Sequence, residues 1–187
     1  MSYDTLLEYT YENTKKRGSN PEENQFLYAM LRMTQPRRVL EVGVSHGHMT
    51  VWLAQALKEN GKGKLISVDN WSKAHGGEAH SPKAVHTRLD NCELRPWVEV
   101  VSSDSQAFMS KQGDDTFDFV WIDGDHSYEG ALADLKEGKR ISRRWLAAHD
   151  TAQTYDGVRK ACEEIGGGYF INCFRGVWVC DLGGSDE

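Results

Sequence analysis

Residues 39–50, VLEVGVSHGHMT, decide the fold: an apolar run, one acid, then two glycines four positions apart that open a helix. Val39, Leu40, Val42 and Val44 make a short strand of the kind buried on both faces at the centre of a sheet. Gly43 and Gly47 let the backbone turn tightly and approach a ligand where a Cβ would intrude. Met49, Trp52, Leu53, Ala56 and Leu57 then recur at helical spacing. That helix packs back on the sheet while its first N–H groups face a crevice. Strand, glycine turn and helix together read as a nucleoside-cofactor edge.

A dinucleotide fingerprint requires G-x-G-x-x-G, with the middle glycine admitting a pyrophosphate. Here Ser45 occupies that position, the spacing is G-x-x-x-G, and Glu41 precedes the first glycine by two residues. An acid there suits a ligand carrying an ammonium group better than one carrying phosphates. This E-x-G-x-x-x-G pattern resembles motif I of the class I S-adenosylmethionine-dependent methyltransferases. The plain alternative is a strand-to-helix turn without a ligand.

Outward from this motif the chain alternates. Residues 22–33 form a helix with Phe26, Leu27, Met30 and Leu31 on one face and Pro36 closing it. Further strands are expected at 64–70, 98–102, 117–124 and 145–148, with helices at 82–94, 105–111, 128–141 and 155–165 and a loop at 71–81. Two last strand candidates, 169–174 and 177–182, are separated only by Arg175 and Gly176, too close for a crossover helix, so they pair as a hairpin. The expected fold is α/β: a Rossmann-like, doubly wound, mostly parallel sheet with a C-terminal antiparallel hairpin. The seven-stranded sheet of the class I methyltransferases is similar. The expectation is one domain over residues 1–187, with residues 1–36 as a helical segment packed on it.

In open α/β sheets, ligands bind beyond the carboxyl ends of the strands. An acid stands at each of the five parallel ends: Glu41, Asp69, Asp104, Asp123 with Asp125, and Asp150. Asp69 is placed to accept hydrogen bonds from both hydroxyls of a ribose, as in NAD proteins too. Asn70 and Trp71 follow it, and the indole either stacks on an adenine or closes an apolar cluster. Asp104 sits where class I methyltransferases commonly contact the adenine amino group, or else caps the next helix.

The stretch FDFVWIDGDHSY, residues 117–128, followed by a helix beginning EGALADL, looks like the small bacterial methyltransferases related to macrocin and catechol O-methyltransferases. There an I-D-G-x-H-x-Y segment ends strand four. The resemblance runs from residue 22 to the last strand. It implies a divalent metal such as magnesium held by Asp123, His149 and Asp150, orienting an acceptor hydroxyl. Two carboxylates suit magnesium. The imidazole of His149 suits zinc, iron, manganese or nickel instead, and catechol-type enzymes would have aspartate then asparagine at that pair. His126, three residues after Asp123, is the candidate general base, or a residue that orients the turn. His75 and His80 flank a loop that could serve as a lid.

At 187 residues and net charge −6, the chain shows no basic stripe for nucleic acid and no apolar run long enough for a membrane. Cys92, Cys162, Cys173 and Cys180 show no C-x-x-C pairing and read as reduced thiols in a cytoplasmic chain. The expectation is a methyltransferase that uses S-adenosylmethionine on a small-molecule acceptor, an oxygen nucleophile being favoured. Cofactor residues would be Glu41, Gly43, Ser45, Gly47, Asp69, Asn70, Trp71, Asp104 and Asp123; catalytic ones His126 and Asp123. An NAD-dependent oxidoreductase and a non-catalytic binder of the same cofactor stand as alternatives. The N-terminal helix and the edge hairpin could form a homodimer contact.

Overall fold

The computed structural model describes residues 5, 6, 8, 21–72, 80–152 and 156–184. Its centre is the strand read first from the sequence, β1 (Arg38–Val42), whose last four residues are all buried. On either side lie β2 (Lys64–Asp69) and β4 (Phe117–Ile122), both parallel to it. With β3 (Val98–Ser102), β5 (Ser142–Ala148), β6 (Gly168–Ile171) and β7 (Val177–Asp181), the sheet has seven strands in the order β3-β2-β1-β4-β5-β7-β6. Only β7 breaks the parallel run, pairing antiparallel with both β5 and β6. The expected fold is therefore the observed one.

Helices cover both faces, as a parallel sheet requires. The helix α1 (Pro21–Thr34), α2 (His48–Asn60) and α3 (Pro82–Asn91) bury Leu27, Leu31, Leu53, Leu57, Val85 and Leu89 against one face. On the other, α4 (Ser105–Met109), α5 (Tyr128–Ile141) and α6 (Asp156–Ile165) bury Met109, Leu135, Ile141, Val158 and Cys162. Successive β1 residues alternate between these two cores: Val39 belongs to the first, Leu40 to the second. Several helix ends are written locally. The Ser81 and Ser127 hydroxyl oxygens accept the Ala84 and Gly130 N–H groups at the starts of α3 and α5. Gly61, at φ 67°, closes α2 in the left-handed conformation.

Boundaries shift where side chains compete with periodicity. The hairpin connection is longer than the two residues expected: Ile171 pairs with Val177, leaving residues 172–176 as the turn. β5 begins at Ser142, directly after α5, earlier than the apolar run at 145 suggested. α3 stops at Asn91, and a short 3-10 turn, Arg95–Trp97, leads into β3. Residues 73–79 of the expected loop, His75 among them, and Tyr155 lie outside the described residues.

β1 and β4 meet closely at their carboxyl ends. The Asp123 N–H donates to the Val42 carbonyl at 2.7 Å, and the Gly43 N–H donates to Val68 at 2.9 Å. Gly43 has φ 88°, and a Cβ built there would lie 2.0 Å from the Asp123 carbonyl oxygen. The glycine is thus required by neighbouring backbone, where the sequence reading had placed a ligand. At Gly47, φ 74°, an added Cβ would lie 3.1 Å from the Val85 side chain of α3. Gly43→Ala should destabilise the chain by about 3 kcal/mol or more, since neither φ nor space can be relieved without moving β4. Chemical denaturation would check this, and a loss under about 1 kcal/mol would show that the strands can part.

Candidate active site

The strand order reverses between β1 and β4, and a cleft of about 810 Å³ opens at that switch point. It runs along the carboxyl ends of the parallel strands, lined by Ser45, Asp69, Asp104, Asp123, His126 and Asp150 among others. Three non-glycine residues at these ends hold positive φ: Ser45 at 50°, Trp71 at 53° and Asp150 at 55°. Such strain persists only where surrounding contacts over-determine it, and it concentrates at functional sites.

At β2 the Asp69 carboxylate braces this rim. Its Oδ2 accepts the Val44 and Ser45 N–H groups at 2.9 and 2.8 Å, and its Oδ1 accepts the Trp71 N–H at 2.7 Å. The acid therefore holds the glycine turn in shape while still lining the cleft. Asn70 lines it as well, whereas Trp71 turns toward the core and meets His80 edge-on at 5.5 Å between centroids. The Asp104 carboxylate caps α4, accepting the Ala107 N–H at 3.0 Å, and also faces the cleft.

Glu41 does not line the cleft. It lies fully buried beneath the turn, its Oε2 accepting the Thr50 and Ser67 hydroxyls at 2.8 and 2.6 Å. Burial pushes its carboxyl up to about 8, against the pull of those two hydrogen bonds.

Beyond β4 and β5 the ionisable groups converge. Asp123, His126 and Asp150 bring ligand atoms within 4.8 Å of one another. His126 Nε2 lies 2.7 Å from Asp150 Oδ2 and 3.8 Å from Asp123 Oδ1. The Asp123 and Asp150 carboxylates together raise the imidazole to about 10. His149 is held at both ring nitrogens: Nδ1 sits 3.1 Å from Asp123 Oδ1, and Nε2 sits 3.0 Å from Glu23 Oε2. Burial works against its charge, yet the facing carboxylates keep its pKa well above the usual value. Burial likewise favours neutral Asp123, but the two histidines hold it down at about 2. In this arrangement His126 pairs with Asp150 beside the cleft, with Asp123 a little farther off, while both ring nitrogens of His149 are engaged.

Sequence reasoning missed Glu23. This residue of α1 is buried, and its other oxygen accepts the Arg175 N–H of the hairpin turn at 2.6 Å. Burial alone would raise its carboxyl, but the His149 contact and the Arg175 N–H lower it. No local pattern marks it, since its partners lie 126 and 152 residues away. Gln106 and Asp134, which also line the cleft, were passed over because each reads as an ordinary helix residue.

The model of a family described as a methyltransferase domain matches residues 40–163, well over half the chain. The chain belongs to this family. Among curated relatives of this methyltransferase domain, the catechol O-methyltransferase of Niastella koreensis is 27% identical over 109 residues, 57% of this chain and 45% of that one. The caffeoyl-CoA O-methyltransferase of Populus kitakamiensis is 27% identical over 176 residues, 87% of this chain and 69% of that one. The first of these matches spans less than half of its relative's length. Among solved structures, an O-methyltransferase from Bacillus cereus in complex with SAH superposes with a TM-score of 0.74 at 18% identity, covering 97% of this chain and 92% of that one. The last likeness establishes the shared fold.

The buried Glu41 gives a pH signature. Its pKa is raised from 4.5 to about 8 on folding, so its contribution to stability is full below about 4.5 and is lost as pH rises through 8. Glu41→Gln keeps an acceptor for Thr50 and Ser67 and removes the titration. Between pH 5 and 8 the parent's stability should fall more steeply than the variant's, by up to about 1.4 kcal/mol per pH unit. Parallel calorimetric curves would refute this account.

Proposed function

We propose that this methyltransferase domain uses S-adenosylmethionine to methylate a hydroxyl of a small-molecule acceptor. The observation that carries the reading is the cleft at the switch point, with Asp69 and the strained Ser45 turn on one flank and the Asp123–His126–Asp150 group on the other. Its volume of about 810 Å³ is ample for a nucleoside cofactor beside a modest acceptor. The two relatives named above act, by their names, on catechol and caffeoyl-CoA, both through oxygen. A net charge of −6 gives no support to a nucleic-acid acceptor, and no helix among the described residues is long and apolar enough to cross a membrane.

The residues fit the cofactor and also fit a cation. Asp69 keeps lone pairs for ribose hydroxyls beyond those given to the turn. Asp150 Oδ1 is buried with no hydrogen-bond partner, the Arg175 guanidinium standing 3.7 Å away, and so keeps acceptor capacity beside two other ligand groups. A divalent cation held by Asp123, His126 and Asp150 would supply charge that favours an ionised acceptor oxygen, and the imidazole in this set suits manganese, iron or zinc better than magnesium. The sulfonium brings an activated methyl group, so the chain's own task is to bind, align and exclude water. Without a cation His126 holds its proton against Asp150 beside the cleft, and as a ligand it would be the neutral imidazole. Glu23 and His149 fix the Asp123 carboxylate from behind.

Isothermal titration with S-adenosylmethionine, S-adenosylhomocysteine and NAD tests the cofactor. Both adenosyl ligands should bind and NAD should not, and Asp69→Ala should weaken binding by about tenfold or more. Failure of both adenosyl ligands to bind would remove the reading. His126→Ala should keep the affinity for S-adenosylhomocysteine within about threefold and abolish methyl transfer to a hydroxylated acceptor panel assayed with added manganese or magnesium. Tight binding without transfer by the unmodified chain would make it a non-catalytic binder.

A further inference from the structure

The opposite end of the sheet carries a second cavity, of about 260 Å³, at the amino ends of β1, β4 and β5. It shares no lining residue with the cleft. Four cationic side chains line it, Arg37, Lys62, Arg143 and Arg144, against a single acid, Asp118. In a chain of net charge −6 this is a local reversal of sign.

Backbone contacts gather these side chains from distant parts of the sequence. The Lys64 N–H donates to the Arg37 carbonyl at 2.8 Å, and a Cβ at Gly63 would stand 2.6 Å from the Pro36 carbonyl oxygen. The turn before β2 therefore packs on the turn before β1, which brings Lys62 and Arg37 to the same cavity. At the start of β4, Asp118 Oδ2 accepts the Arg37 and Arg38 N–H groups at 2.7 and 3.0 Å, and Oδ1 accepts Arg143 Nη2 at 2.5 Å. The one acid is thus committed to the frame and to a single guanidinium. Arg144 stands 3.7 Å from Asp181. Arg37 and Lys62 are exposed, and neither side chain forms an ion pair among the described residues.

Two features call for an occupant of negative charge. Gathered cations repel one another, and a bound anion removes that cost. Trp145, which also lines the cavity, has a buried indole N–H without a hydrogen-bond partner, a donor in want of an acceptor. A cation or an apolar group would answer neither. Guanidinium forks match phosphate and carboxylate oxygens two at a time, and a pair with Asp118 leaves Arg143 further donors. The volume lies just below the range of sites for drug-sized ligands, which points to a small occupant.

We propose that this cavity is an anion site for a phosphate group, free or at the end of a small phosphomonoester, held by Arg37, Lys62 and Arg143. β1, β4 and β5 run from it to the residues of the cleft, so the two sites occupy opposite ends of the same strands.

Calorimetric titration of the full chain with inorganic phosphate and with glycerol 3-phosphate, in chloride at constant low ionic strength, tests it. Saturable binding is expected, with a Kd of about 1 mM or tighter that weakens as salt is raised. Arg37→Gln combined with Lys62→Gln, both at exposed positions that the fold tolerates, should weaken binding by about tenfold or more, the scale of a lost charge-assisted hydrogen bond. Arg175→Gln, which removes the guanidinium lining the cleft, should leave it within about twofold. Tighter binding of glycerol 3-phosphate would assign the site to a phosphomonoester, and tighter binding of inorganic phosphate to the free ion. Absence of saturation by about 10 mM of either probe overturns the proposal. So does binding that the paired substitution leaves intact or that Arg175→Gln abolishes.

Discussion

The contact between Gly43 and the Asp123 carbonyl sets the geometry from which the cleft follows. β1 and β4 lie side by side because the strand order reverses between them, and the Asp123 N–H to Val42 bond carries the pairing one residue past the end of β4. With a Cβ only 2.0 Å from backbone, position 43 admits glycine alone, at a φ that glycine alone adopts readily. The chain then turns away from β4 instead of continuing along it, and that divergence opens the crevice. Asp69 stabilises the turn by accepting two consecutive N–H groups, so the β2 end and the β1 loop are one unit.

Charge is arranged under the same constraint. Glu23, Asp123 and Asp150 place three carboxylates in a small, largely buried volume, where like charges cannot all remain ionised unaided. Two imidazoles offset them, His149 between Glu23 and Asp123, and His126 between Asp123 and Asp150, with the Arg175 guanidinium 3.7 Å from Asp150. Every raised histidine and lowered acid here follows from that alternation. Glu41 is the contrast: buried with hydroxyls and no cation, its carboxyl moves the opposite way, to about 8. Identical chemistry gives opposite ionisation because the neighbours differ.

Architecture was legible in the sequence because alternation of apolar strands and amphipathic helices is a local signal, and a two-strand ending without room for a crossover is another. The acids at the strand ends were legible for the same reason. Their contacts were not. Glu41 and Asp69 both stand near the glycine turn, yet one is sealed below it and the other splits its oxygens between turn and cleft. That distinction depends on which way a strand-end side chain faces, set by pleat and twist rather than by residue type. His126 and His149 were equally visible as residues, but only the placement of Glu23 shows why His149 has no nitrogen to spare. The hairpin turn outruns its expected two residues for a related reason: the residues that extend it, 172–176, are shaped by contacts outside the hairpin.

Those contacts bring the first described full helix into the site. One carboxylate of α1 accepts the Arg175 N–H of the hairpin turn and meets the ring of His149, linking the beginning of the described chain, the end of β5 and the approach to β7. The alternating β-α units supply the sheet and its acidic rim, but they do not fix His149. A buried carboxylate is tolerated at Glu23 because its oxygens are satisfied from two other elements, and His149 stays charged because Asp123 first, and Glu23 with it, face its ring. Glu23 thus ties the packing of α1 to the end of β5 and the hairpin turn, the side of the cleft that holds Asp123 in place.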